Sequence, residues 1–453
     1  MGSGGKEMKA VAWSIFLFLW LGTNFSAVAW AEDSQADAHP LGLRECLQLA
    51  FESHPSLAAA RARVRAAQEY ERAAYKNYFP KLTLSYRYTR FRDQRKVVIF
   101  SYDVPLSSYE MVQGDLVLSF PIFHGLALRA EHRLRELDVA ISEVQEERTR
   151  QELAYRVKEA YWGLLKAQRK EEEARKSVER LQAHLKVARG FFEEGLIAKN
   201  DLLQSEVALA EGEHALVVAR NAVTLARARL NILLGRPVTA QTKIKDSLEN
   251  LPRILGFEEY LAKALEIRPE IRAARLALQK AFQGIRLAKS SLYPWIDLEG
   301  VYHKEATDLA LSQNPYGDRE NAWVALTLNW RIFEWGKRFH EVSGARAQAL
   351  AQEAALREIR DQVKLEVREA YLRFQEARKR LEVARKSLSQ AEENFALNEA
   401  RYQEQLATST DVLDAETLLT SARVNYVNAL ADLHLAEAYL EYAVGVEKIG
   451  IFR

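Results

Sequence analysis

The sequence predicts a mainly α-helical chain, built twice over, whose smaller β portion is a share of a membrane barrel. Three observations carry that class. Two stretches, Arg129 to Glu194 and Lys337 to Glu404, place an apolar or small residue at every third or fourth position along their central and distal parts. Short segments ahead of them alternate apolar and polar side chains instead. The whole order of segments then occurs a second time, about 210 positions on.

The amino terminus reads as a targeting segment. Lys6 and Lys9 precede an apolar run from Ala10 to Leu21, and Ala29-Trp30-Ala31 offers the small-x-small pattern of a signal peptidase site. Residues 1–31 are therefore expected to be a signal peptide, with Glu32 as the mature start and Met8 as a second candidate initiator. A membrane anchor is the alternative, but the run is short for a span. No cysteine follows it to carry a lipid, and no later stretch is long and apolar enough for a transmembrane helix.

The first repeat is placed at 32–240. From Leu41 to about Lys76 the pattern is helical, with Pro55 marking a break or a helix start. Leu82, Leu84, Tyr86 and Tyr88 then alternate with Lys81, Thr83, Ser85 and Arg87, the period of a strand with one apolar face. A polar loop with Asp93, Lys96, Asp103 and Pro105 follows, and alternation resumes at Val112, Gly114, Leu116, Leu118 and Phe120. The pair reads as a long-looped hairpin.

The first long helix comes next, with Leu153, Val157, Ala160, Leu164, Ala167, Ala174, Val178, Leu181, Leu185, Ala188 and Phe192 at steps of four and three, Glu171 intervening. That seven-residue period belongs to helices packed as a coiled coil, and at 1.5 Å per residue the stretch runs roughly 100 Å. A turn at Gly195 to Asn200 leads to a second helix from Asp201 to about Leu234. No proline stands between Pro121 and Pro237, as an unbroken helical hairpin requires. Gly235-Arg236-Pro237 stops the helix, and 241–256 reads as a linker.

The second repeat is placed at 257–453. Pro269 follows Pro55, and Pro294 follows Pro80, by 214 positions. Ile296, Leu298 and Tyr302 take the places of Leu82, Leu84 and Tyr88. Leu326, Leu328, Trp330, Ile332 and Phe333 repeat Leu116, Leu118, Phe120, Ile122 and Phe123 at a spacing of 210. In the second long helix Val363, Val367, Ala370, Phe374, Ala377, Leu381, Ala384, Leu388, Ala391, Phe395 and Tyr402 stand 210 positions after their counterparts, with Asn398 as the polar member. An internal duplication of this kind fixes the architecture before any motif is considered.

Composition narrows the function classes. A formal net charge of +2 over 453 residues leaves no nucleic-acid footprint, and the 28% of charged residues reads as solvated helix faces. One cysteine, Cys46, excludes an internal disulfide and a cysteine metal cluster. The nine histidines show no metal spacing, His303 and His340 for example standing singly. No nucleophile elbow or phosphate-binding glycine loop is present, so neither enzymatic activity nor a cofactor is expected.

The strands pose the decisive question, because an apolar sheet face cannot be left in water. Helices could cover it. The alternative, a share of a barrel, puts the apolar face against lipid and the polar face on a lumen. Charge in mid-strand (Asp115, Asp297, Glu299) favours the barrel, being costly in a dry core and cheap beside water. So do the aromatics at the strand ends nearest the long helices, Phe79, Tyr293, Trp295, Phe120, Trp330, Phe123 and Phe333, which match an interfacial girdle. A barrel needs about eight strands or more, so chains with four each must associate, and a ring is the economical way.

At this point the sequence resembles the TolC family of outer-membrane efflux ducts over essentially the whole mature chain. The motifs are Leu43-x-Glu45-x-Leu47-x-Leu49-Ala50 with Pro55, Tyr78-Phe79-Pro80-x-Leu82, and Phe120-Pro121-Ile122-Phe123-x-Gly125. The turns add Phe192-x-x-Gly195-x-x-x-x-x-Asp201-x-Leu203 and Tyr402, then Ser409-Thr410-Asp411-Val412-Leu413-Asp414-Ala415. The resemblance implies a homotrimer with a twelve-stranded β-barrel in outer-membrane lipid, continued by a twelve-helix α-barrel across the periplasm. It also implies docking onto a periplasmic adaptor (membrane fusion) protein and an inner-membrane pump, proton-driven or of the ABC type, for efflux or type I secretion. The family's acidic gate rings fall on Asp411 and Asp414, and its closed-state latch on Asp201 and Tyr402. A second latch departs from the family pattern, with Gln405 at the glycine position and Ala407 at the arginine position.

Each site residue also has a plain reading. Asp201, Asp411 and Asp414 begin helices, where a carboxylate caps free N–H groups. Tyr402 could be the last packing residue of its heptad string. For the chain as a whole, a periplasmic adaptor and a coiled-coil scaffold without a pore are the competing classes. The adaptor requires a split lipoyl-like β-domain, and the scaffold leaves the strand alternation unexplained.

Overall fold

The computed structural model describes residues 39–248, 251, 255–315 and 319–446. The expected leader at 1–31 and the tail after 446 lie outside them. Helices α1 (Leu43–Ser53) and α2 (Pro55–Lys76) lead into β1 (Lys81–Arg90), β2 (Lys96–Ile99), β3 (Tyr102–Pro105) and β4 (Glu110–His124). Then come α3 (Ala127–Glu193) and α4 (Lys199–Leu233). The second half repeats the plan with α5 (Phe257–Ile267), α6 (Pro269–Ser290), β5 (Trp295–Ala306), β6 (Arg319–Asn329), α7 (Lys337–Gln403) and α8 (Ser409–Val444).

Both long helices have 67 residues, so each spans about 100 Å. The heptad positions do what their spacing predicts. In α7, Val363, Val367, Ala370, Phe374, Ala377, Leu381, Ala384, Ala391 and Tyr402 are all buried. The main core gathers at mid-length of these helices, where α1 and α5 pack beside them. A smaller cluster of Ala391, Leu419 and Ala422 lies nearer the distal turns.

The sheet runs β1-β4-β5-β6, antiparallel throughout, so the two halves meet at β4 and β5. Alternation sorts its faces. Leu82, Leu84, Leu116, Leu118, Leu298, Leu326 and Leu328 share one face by register, and Asp115, Glu299 and His303 share the other. Leu84 is 76% exposed and Leu326 66%, so no helix among the described residues covers the apolar face. Helix neighbours follow the strand order. In the half next to the sheet the wall runs α2, α3, α6, α7; in the far half it runs α4, α3, α8, α7.

Three expectations need correction. The polar loop after β1 contains a second hairpin, β2 paired with β3. Trp330, Ile332 and Phe333 lie beyond β6, because Asn329 already pairs with Trp295, the first residue of β5, and no partner backbone remains. The segment read as a linker is partly packed: the Leu41 N–H donates to Lys243 O and the Lys245 N–H to Leu41 O, Tyr161 donates to Lys245 O at 2.6 Å, and Leu248 is buried.

Candidate functional site

The two distal turns, at the end farthest from the sheet, are built alike. The N–H groups of Leu196 and Gly195 bond to the carbonyls of Phe191 and Phe192, closing α3; those of Leu406 and Gln405 bond to Arg401 and Tyr402, closing α7. Both turns need a left-handed residue at this position. Gly195 adopts φ +74° at no steric cost, whereas Gln405 adopts φ 61° with a side chain attached.

Asp411 serves a local purpose at the start of α8. Its carboxylate accepts from the Thr408 N–H and hydroxyl, each at 2.8 Å, and the Thr408 hydroxyl accepts from the Asp411 N–H, a reciprocal box that satisfies free helix-end groups. The Thr408 N–H and hydroxyl hold the Asp411 carboxyl below the usual carboxylate range. Asp414 lies three residues on, exposed and past the first turn, so it caps nothing. Asp201 differs from the expectation of a cap as well: α4 starts after Ala198 and receives no side-chain cap bond.

Tyr402 is 4% exposed, its ring 5.0 Å from His184 and 5.5 Å from Phe191. Its hydroxyl has no hydrogen-bond partner among the described residues. Burial raises its pKa, and the Asp201 carboxylate raises it further. Asp201 and Tyr402 are thus neighbours without a bond between them.

A polar seam that the sequence reading missed joins α3 to α8. Buried Glu416 accepts from Arg180 at 2.8 and 3.0 Å and from Ser177 at 2.8 Å. Below it His184 Nε2 lies 2.9 Å from the Ser409 hydroxyl, which lies 3.1 Å from that of Ser205. Burial holds the His184 pKa below its ordinary value. Ser177, between two heptad residues, and Glu416, between Ala415 and Leu419, interrupt the apolar period; that was the available signal. Their partners, more than 230 positions away, leave no trace in one sequence.

The other polar surface is the hydrophilic face of the sheet. His303 bonds Asp115 at 2.5 Å across β4 and β5, and His124 bonds Asp297 at 2.7 Å. His303, read from sequence as solitary, therefore has a carboxylate partner. No group of metal-ligating side chains occurs among the described residues.

The model of the outer membrane efflux protein family matches residues 46–236 and 260–446. The chain belongs to that family. The alkaline protease secretion protein AprF of Pseudomonas aeruginosa is 25% identical over 418 residues, covering 90% of this chain and 85% of the relative. The outer membrane protein TolC of Vibrio cholerae is 25% identical over 436 residues, covering 95% and 94%. Among solved structures, the outer membrane protein VceC of Vibrio cholerae superposes with a TM-score of 0.74 at 20% identity, covering 89% of this chain and 96% of VceC. As an outer membrane efflux protein the chain is a channel of the outer membrane that extends into the periplasm. It is a conduit and not an enzyme.

Proposed function

We propose that the efflux protein works as a homotrimer, a passive duct from periplasm to exterior. It receives cargo from an inner-membrane pump through a periplasmic adaptor, in efflux or type I secretion. One observation carries this reading: among the described residues, both margins of the wall are unpaired. The edges β1 and β6 bear open backbone groups, and α7 exposes Leu350, Leu365, Val383 and Leu397. Long unprotected edges are a liability unless another chain pairs with them, and three chains of four strands give the twelve that close a barrel. Light scattering of the detergent-solubilised protein should give three times the chain mass. A monomer in detergent would sink the reading.

Three copies of exposed Asp411 and Asp414 then meet around one axis as acidic rings that favour cations. Asp201 and Tyr402 form the closed-state latch, the bond between them being completed in the assembled resting state. Trivalent-cation block of a reconstituted channel should weaken when both acids are replaced, with Asp411→Asn preferred over alanine because it leaves an acceptor for Thr408. Tyr402→Phe should raise conductance; wild-type conductance would leave this tyrosine as packing alone.

A further inference from the structure

We propose that the groove between the start of α3 and the end of α6 holds the phosphate headgroup of an anionic phospholipid from the periplasmic leaflet. The groove has a volume of about 650 Å³, inside the range of roughly 300–1,000 Å³ that small-molecule sites occupy. Arg129 and Arg133 of α3, with Arg286 and Lys289 of α6, line it against one carboxylate, Glu136. Glu136 is neutralised by Arg133. Arg129, Arg286 and Lys289 are exposed and make no ion pair among the described residues. Three positive charges therefore face one opening, with no carboxylate among the described residues paired to them.

The level of the groove selects the ligand. Gly125, which lines it, directly follows the last residue of β4, and Tyr293 stands two residues ahead of β5. The groove thus opens where the apolar band of the sheet ends, at the depth of headgroups and interfacial aromatics. Its floor is tight: a Cβ on Gly125 would lie 2.4 Å from the Ser290 carbonyl oxygen, so only glycine lets the two helix ends meet here. The start of α3 has no side-chain cap, and its positive dipole end adds to the field.

The groove also lies on the outer side of the wall. Arg129 and Arg150 share one stripe of α3, three heptads apart, and Arg150 stacks on Phe51 of α1 at 4.7 Å. An added layer such as α1 has room outside a closed tube and none on its axis, so the face it covers is the outer one.

The test titrates the purified full-length protein in neutral detergent with phosphatidylglycerol, counting bound lipid by native mass spectrometry. Phosphatidylcholine and inorganic phosphate are parallel probes. Phosphatidylglycerol should bind saturably and more tightly than either. Arg129→Gln, Arg286→Gln and Lys289→Gln should each weaken it about fivefold, the effect of one basic residue near an anionic surface. Arg286→Lys should keep binding. Unchanged affinity in the single glutamine variants, or equal binding of phosphatidylcholine, overturns the proposal. So does inorganic phosphate binding as tightly as the lipid, because the acyl chains would then contribute nothing.

Discussion

His184 makes the distal turns sensitive to acid. Its half-buried ring is partly desolvated, which lowers its pKa, so the unfolded chain binds the proton more readily than the native one. The stability this contributes is complete above about pH 6.5 and is lost as pH falls through the lower folded value. Amide exchange of 180–190 and 405–415, corrected for intrinsic rates, should be faster at pH 5.5 than at pH 7.5, and His184→Gln should remove the difference. Gln405 stores strain of another kind, since a side chain in the left-handed region costs about 1–2 kcal/mol. Gln405→Gly is expected to stabilise its turn by about 1 kcal/mol, read as slower exchange across 401–408; unchanged exchange would show that the turn carries no such strain. Individual residues were unevenly legible. The acid at Asp411 could be assigned to a helix start because its capping partner stands three residues away. The pairing of Glu416 with Arg180 could not, because nothing local specifies it.

Long elements were the most legible. Heptads in α3 and α7 repeat often enough that a single polar residue does not obscure them, and both helices end within two residues of the expected limits. Short elements failed for the opposite reason. The strands β2 and β3 have four residues each, too few to establish alternation beside Asp93, Asp103 and Pro105. Packing between elements follows composition only in part, and the α3–α8 seam is where it departs. Arg180→Met would leave the Glu416 charge buried without its partner, a loss of about 3–5 kcal/mol for pairs of this type. The seam should loosen first, so that cross-links engineered between α3 and α8 near Ser177 form more slowly while those near Lys158 do not. Equal rates at both levels would show that the seam is not held by this pair.

For the whole molecule, the faces of the sheet decide where the protein resides. Leu84→Lys places a charge on the apolar face, at a cost of up to about 2–4 kcal/mol near the middle of the bilayer. Thr327→Lys, on the opposite face, should be tolerated. Outer-membrane yield should therefore fall for the first variant and hold for the second; equal yields would mean that lipid does not meet the leucine face. The duplicated plan and the alternation were legible because they extend over hundreds of residues, while the proposed closure of a ring by several chains leaves no pattern in one of them. One feature of the wall has a mechanical outcome. The helix α3 is tied to α6 through Glu147 and Arg272, and only eleven residues further on it is tied to α8 through Lys158 and Glu441. Were the lower arm to swing outward with its hairpin, as the proposed gate requires, that short interval would be its fulcrum, and the upper arm and the seal between protein and lipid would stay seated.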